Sequence, residues 1–351
     1  MNAGLNLLRF FLALNVVAFH LWNAAAPGAG PVAVMGFFCV SGFLITKIVQ
    51  EVYRMHGAAG AFLLNRMLRI YPSYLVALAL GLLAIRLYPE VAAHVNSYLK
   101  WPATAAEWWP QLAIFGLTDS GVRVLPATWT LATELVYYLL IGLGTGRSRR
   151  ATWLLLLASL PVGLACALNR LPFTFYGSAV GNGFVFALGS LAYFYRDRLS
   201  VGPRLFALAC AAWAIALYGI PALEQSDLDT ANLASSVLPF LVILLFVVQV
   251  PVRSPGWVRL ASALGRAAYP LFLLHWAASV LISAWLFEGR ASFDLQGLRA
   301  GGGYFAAVCV LAIGGSLLFV QLIDRPMERW RNAVRLRGRK GAAATSRHNA
   351  A

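Results

Sequence analysis

What most limits the folds open to this chain is a repeated pattern: apolar runs close to the length of a bilayer span follow one another from end to end. A hydrocarbon core of about 30 Å takes roughly 20 helical residues to cross. Inside lipid, backbone N–H and C=O groups must be satisfied within a helix or a closed barrel. The apolar–polar alternation of an outer-membrane barrel strand is absent, so the runs predict helices. About ten spans are expected, at 5–23, 31–50, 70–88, 127–143, 152–168, 177–194, 204–220, 233–250, 267–287 and 303–323. The fold class is therefore all-α, a polytopic transmembrane helix bundle.

Composition agrees. The chain is 60% hydrophobic and 12% charged, against roughly 25% charged in soluble domains. Its net charge of +15 could suggest nucleic acid, but the basic residues lie between spans and report topology instead. They gather after the second, fourth, sixth and eighth spans, as at Arg147, Arg149, Arg150, Arg253, Arg259 and Arg266, and again in the tail. Basic loops stay in the cytoplasm. Both termini are thus expected to be cytoplasmic, in a multi-pass protein of a bacterial-type inner membrane. Residues 1–325 read as one integral-membrane domain, and 326–351 as a basic cytoplasmic tail. The tail should extend a helix and then become partly disordered against anionic lipid. The connection 89–126 holds Trp101, Trp108 and Trp109 and is expected to be interfacial or re-entrant, roofing the bundle. Cys39, Cys166, Cys210 and Cys309 lie in apolar runs and read as small hydrophobes, not a disulfide framework or metal site.

An ionisable side chain inside a span costs several kcal/mol and is usually functional. Three stand out: Arg9 and His20 in the first span and Glu134 in the fourth. At 100° per residue, the eleven-residue spacing brings Arg9 and His20 within about 20° of one face, roughly 16 Å apart along the axis. One helix face would then carry a cation and an acid–base group. Each also has a plainer reading. Arg9 could be an anchor at the membrane surface, His20 a packed ring, and Glu134 one half of a buried pair with Arg9 or Arg69, or an orienter of His20.

The Arg9-to-His20 spacing is followed by Gly36-Phe37-Phe38-Cys39-Val40-Ser41-Gly42-Phe43 and, further on, by Asn65-Arg66-Met67-Leu68-Arg69-Ile70-Tyr71-Pro72. Trp129 to Tyr138, Tyr269-Pro270-Leu271-Phe272-Leu273-Leu274-His275 and a looser Asp324-Arg325-Pro326 complete the series. Together these resemble membrane acyltransferase family 3, which includes O-antigen, Nod-factor and macrolide acylating enzymes. The family pattern would place Glu where Asp324 stands. The resemblance implies transfer of an acyl group, commonly acetyl, from cytoplasmic acyl-CoA to an acceptor hydroxyl facing the periplasm. His20 and Arg9 carry over as the essential pair, with Glu134 as a further catalytic candidate. Arg66 and Arg69 carry over as acyl-CoA contacts, with Tyr71 and Ser41 beside them.

Chemically, a sugar hydroxyl needs a positioned base, and imidazole suits that task near neutral pH. Ser41, Tyr71 or a backbone amide could meet the developing oxyanion. Arginines suit phosphate because their donors form a planar fork. The expected partners are acyl-CoA as donor substrate, a carbohydrate or glycolipid acceptor and membrane lipid; no permanently bound cofactor, metal or nucleic acid is expected, and an oligomer is left open. The rival from another class is a transporter or flippase for an envelope polysaccharide precursor, with Arg9, His20 and Glu134 lining its path. The paired, broken helices of many transporters are missing from the sequence.

Overall fold

The computed structural model describes residues 2–53, 59–168, 170–171, 176–219, 230–295 and 298–335. Among them every regular element is helical and no strand occurs. The first helices are α1 (Ala3–Leu21), α2 (Ala29–Glu51), α3 (Ala59–Leu87), α4 (Pro89–Val95), α5 (Ala105–Ala113) and α6 (Trp129–Leu143). There follow α7 (Arg149–Ala167), α8 (Gly183–Tyr195), α9 (Pro203–Ala214), α10 (Thr230–Gln249), α11 (Pro255–Leu286) and α12 (Leu298–Phe319). A π-helical turn, Val320–Asp324, leads from α12 into a last helix, α13, over 325–335. The remainder of the expected tail, 336–351, lies outside the described residues.

Each expected span falls on a helix, but the helices differ in reach. Among the described residues, six are long and apolar enough to cross a bilayer: α1, α2, α3, α7, α11 and the composite 299–335. Gly183–Tyr195, Pro203–Tyr218 and Ser235–Gln249 are apolar but shorter. The 15 residues of α6 rise about 22 Å, less than a hydrocarbon core, although a 3-10 turn, Pro126–Thr128, runs into its start. The outward faces are what lipid requires. On α7, Leu154, Leu157 and Leu164 are more than half exposed, which in water would be an aggregation-prone stripe.

Local chemistry sets the helix starts. Asn2 caps α1, its side chain accepting from the Gly4 N–H at 2.8 Å while its amide donates to the Val247 and Val248 carbonyls. Ser148 caps α7 by accepting from Ala151 N–H. Thr104 and Glu107 form a capping box on α5. The 89–126 connection is well organised around fully buried Gln111. Its amide donates to the Val122 carbonyl at 2.8 Å, and its carbonyl oxygen accepts from Val124 N–H.

The chain divides into two compact units. The first holds Met1–Phe37, Tyr74–Ala132 and Val201–Val320. Its core joins α1, through Leu12, Ala13 and Val17, with Ala267 and Leu271 of α11 and Tyr304 and Val308 of α12, all fully buried. Tyr304 and Ser279 tie α12 to α11 by a hydroxyl–hydroxyl bond of 2.7 Å. The second unit holds Phe38–Ser73, Thr133–Ser200 and Gln321–Ala351. Here α2 and α8 touch backbone to backbone. A Cβ on Gly42 would collide with the Phe186 carbonyl, and one on Gly189 with the Cys39 carbonyl. Small residues at such crossings let helices approach in lipid, where apolar burial gives little drive and packing must supply it. Phe186 also stacks between Phe38 and Tyr137.

Candidate active site

The first unit contains a histidine pair. His20, near the end of α1, is half-buried and has no hydrogen-bond partner among the described residues. Its ring stacks on His275 of α11 with centroids 5.5 Å apart and planes 11° from parallel. Trp276 lies 4.9 Å from His20 and Phe19 lies 5.2 Å away. His275 is completely buried. Its Nδ1 faces the Phe272 carbonyl at 2.9 Å. A carbonyl only accepts, so Nδ1 carries the hydrogen and Nε2 of the neutral ring is left with a lone pair. That Nε2 is buried and unpartnered.

His20 also borders a cavity of about 440 Å³, within the size range of small-ligand sites. Trp22 and Asn23, the turn residues Ser292, Phe293 and Leu295, and Gly301 of α12 line it with His20. The turn that carries Ser292 and Phe293 is held by Asp294. Its Oδ2 accepts from Ala291 N–H at 2.6 Å and lies 2.6 Å from His94 Nε2 on α4. Mainly through the Ala291 bond, and also through His94, this carboxyl is held below its usual range. Arg9 is half-buried on the same unbroken helix as His20, so the eleven-residue spacing keeps its helical meaning.

The other expected residues belong to the second unit. Glu134 on α6 accepts hydrogen bonds from the Ser41 hydroxyl of α2 and, at 2.6 Å, from the Tyr138 hydroxyl one turn further on. Tyr138 in turn lies under a guanidinium, its ring centre 6.0 Å from Arg66 Cζ, while the Phe62 ring is 5.8 Å from the same atom. Arg66 is only 5% exposed. Its Nη2 donates to Asn65 Oδ1 at 3.0 Å. Arg69 and Tyr71 follow on α3, both half-buried, and Arg69 is near enough to repel Arg66. Ser41 and Glu134 are thus brought into direct contact, and Arg66 and Arg69 into one electrostatic neighbourhood.

His275, Trp276 and Tyr138 were not among the expected site residues. His275 meets the test that selected His20, an ionisable group inside an apolar run. Tyr138 stands four residues after Glu134 on a helix, where side chains share a face.

A lipid-facing helical fold that buries Arg66 and sets a histidine beside a ligand-sized cavity defines a membrane protein with ionisable groups held among apolar helices. The family model described as an acyltransferase domain matches residues 2–321, and the chain belongs to that family, acyltransferase family 3. It is similar to nodulation protein 10 of Rhizobium leguminosarum bv. viciae, 30% identical over 166 residues, covering 38% of this chain. The match spans 41% of that relative's length. No solved structure matches significantly.

Proposed function

We propose that this membrane acyltransferase moves an acyl group, acetyl being the simplest, from acyl-CoA to a hydroxyl of a saccharide-type acceptor, with His20 as general base. The observation that supports this most strongly is His20 itself: stacked on the His275 ring with Trp276 tilted against it, without a hydrogen-bond partner among the described residues, and bordering a cavity. The stack fixes the ring plane, and the ring nitrogens remain available for substrate.

In this reading the acceptor hydroxyl loses its proton to His20 as its oxygen attacks the thioester carbonyl. The C–O bond forms, the C–S bond breaks, and the leaving thiolate recovers the proton from the imidazolium. Trp276 stabilises that transient cation through its ring face. The cavity beside His20 receives the acceptor, and the arginines of α3 hold the nucleotide end of the donor. Glu134 keeps the Ser41 and Tyr138 hydroxyls ordered beside Arg66. Arg9 supplies a fixed positive charge on the helix that carries the base. The arginine asymmetry of the loops supports a topology with the α3 arginines on the cytoplasmic side, where acyl-CoA is found, both termini on that side, about ten spans and the acceptor facing the periplasm.

The test is thiol release by purified full-length protein in nanodiscs, with acetyl-CoA and an oligosaccharide acceptor. The expected result is acceptor-stimulated release matched by one acetyl gained per acceptor hydroxyl, read by mass spectrometry. Absence of both release and acetylation across short-chain acyl-CoA donors would sink the assignment of the donor.

A further inference from the structure

Four arginines of the second unit lie within electrostatic reach of one another: Arg66 and Arg69 on α3, Arg331 and Arg335 on α13. Like charges gathered away from water are costly unless something of opposite sign joins them. Glu328 faces Arg331, and Glu134 reaches the group through Tyr138. Hydrogen bonding is also incomplete. Arg66, Arg331 and Arg335 each hold a buried Nε with no partner, and the hydroxyl of Tyr53 faces the same three arginines, within hydrogen-bonding influence of Arg335. Burial pushes that phenol's pKa up, while Arg335, Arg66 and Arg331 oppose the shift. Buried donors are nearly always satisfied in a finished structure, so a converging set of unspent ones calls for a missing acceptor.

The arrangement is built rather than incidental. Asn65 donates to the Arg331 carbonyl at 2.9 Å and accepts from Arg66 Nη2 at 3.0 Å, linking one arginine of each helix. Ser73 donates to Asp324 Oδ1 at 2.6 Å, pinning the turn that launches α13. Both clamps dock α13 on α3 without using the guanidinium groups of Arg331 and Arg335.

We propose that Arg66, Arg331, Arg335 and Tyr53 form a binding site for a phosphate-bearing anion, the phosphorylated nucleotide end of the CoA donor, so that α13 completes the donor site. This rests on the acyl-CoA reading above and extends it to residues whose sequence context marks only a basic tail. Forked guanidinium donors match phosphate oxygens, and the phenol adds one more donor.

Titration of the full chain in phosphatidylcholine nanodiscs tests it, with coenzyme A and pantetheine as probes. Wild type should bind coenzyme A more tightly than pantetheine, and tripolyphosphate should displace the coenzyme. Arg331→Ala with Arg335→Ala should weaken coenzyme A by about tenfold or more per arginine and leave pantetheine unchanged. The Lys pair should recover part of the loss, since charge remains and the fork does not. The Asn65 bond uses a backbone carbonyl of Arg331, so these variants should elute like wild type on gel filtration. If wild type ignores coenzyme A, the donor reading falls and this site falls with it. If wild type binds it and the double Ala variant binds it equally well, this proposal alone is overturned. A double variant that keeps coenzyme A affinity but no longer retains co-purified phosphatidylglycerol would reassign the arginines to a lipid phosphate, overturning the nucleotide assignment.

Discussion

The two polar centres contrast in how fully their hydrogen bonds are met. Around Glu134 the carboxylate is supplied from two directions, by Ser41 and Tyr138. Around His20 the supply is thin: the ring has no hydrogen-bond partner among the described residues, and His275 Nε2 is buried and unpaired. A buried polar group left unpaired costs about 1–3 kcal/mol. Such a cost is retained where a substrate will complete the bond, whereas a carboxylate oxygen that accepts twice holds its two donors in place. On the function proposed above, the difference fits proton transfer on the histidine side and alignment on the glutamate side.

The largest expected effect tests the histidine half of that contrast. His20→Ala should lower turnover by about 10²–10⁴-fold, the usual contribution of a general base, while coenzyme A affinity is retained. Single-turnover kinetics beside equilibrium binding would separate the two. Near-wild-type turnover would mean that the unpaired ring is a packing feature, and the base would have to be sought at His275 or Glu134.

Next comes the glutamate half. Glu134→Gln keeps the shape but weakens two charge-assisted bonds, each worth about 1.5–3 kcal/mol. Thermal unfolding in detergent should shift downward, with Tyr138→Phe giving a smaller shift because only one bond is lost. Turnover at saturating donor should fall much less than in His20→Ala. A loss equal to that of His20→Ala, with stability unchanged, would erase the distinction between the centres.

The smallest effect concerns the cavity wall. Asp294 has a folded pKa below its ordinary 3.8. Its contribution is therefore present above that ordinary value and lost as pH falls through the lower folded one. Asp294→Ala should raise KM for the acceptor modestly at neutral pH and leave coenzyme A binding alone. The variant should also lack whatever acid-induced rise in acceptor KM the wild type shows below about pH 4. Identical acid profiles in the two proteins would show that the Asp294 turn does not shape the cavity.

Much of this was legible in the sequence, for reasons that also explain what was not. Apolar runs of bilayer length announce helices, and an ionisable residue within one announces itself, so Arg9, His20 and Glu134 stood out directly. His275 carried the same signal, but its role depends on a stack between helices more than 250 residues apart in sequence, which no local pattern encodes. Arg331 and Arg335 were masked by their surroundings, since a dense run of basic residues near a C-terminus reads as topology or lipid contact. Asn65 and Gln111 are uncharged, and only their burial shows that they organise their surroundings. The short reach of α6 was equally hidden, because its apolar run continues through a 3-10 turn at the start.

The π-helical turn at Val320–Asp324 has an implication for how this protein can tolerate change in length. A π turn closes its hydrogen bond one residue later than an α turn and so accommodates an extra residue. Everything after it is rotated by about 100° relative to an uninterrupted helix. The direction faced by Arg331 and Arg335 is consequently set by the number of residues before them as well as by their type. Removing one residue from 320–324 would leave every arginine in the sequence yet turn the C-terminal helix away from Asn65. A lineage aligned by residue identity alone would show the motif intact, while in the folded protein its phase would be lost.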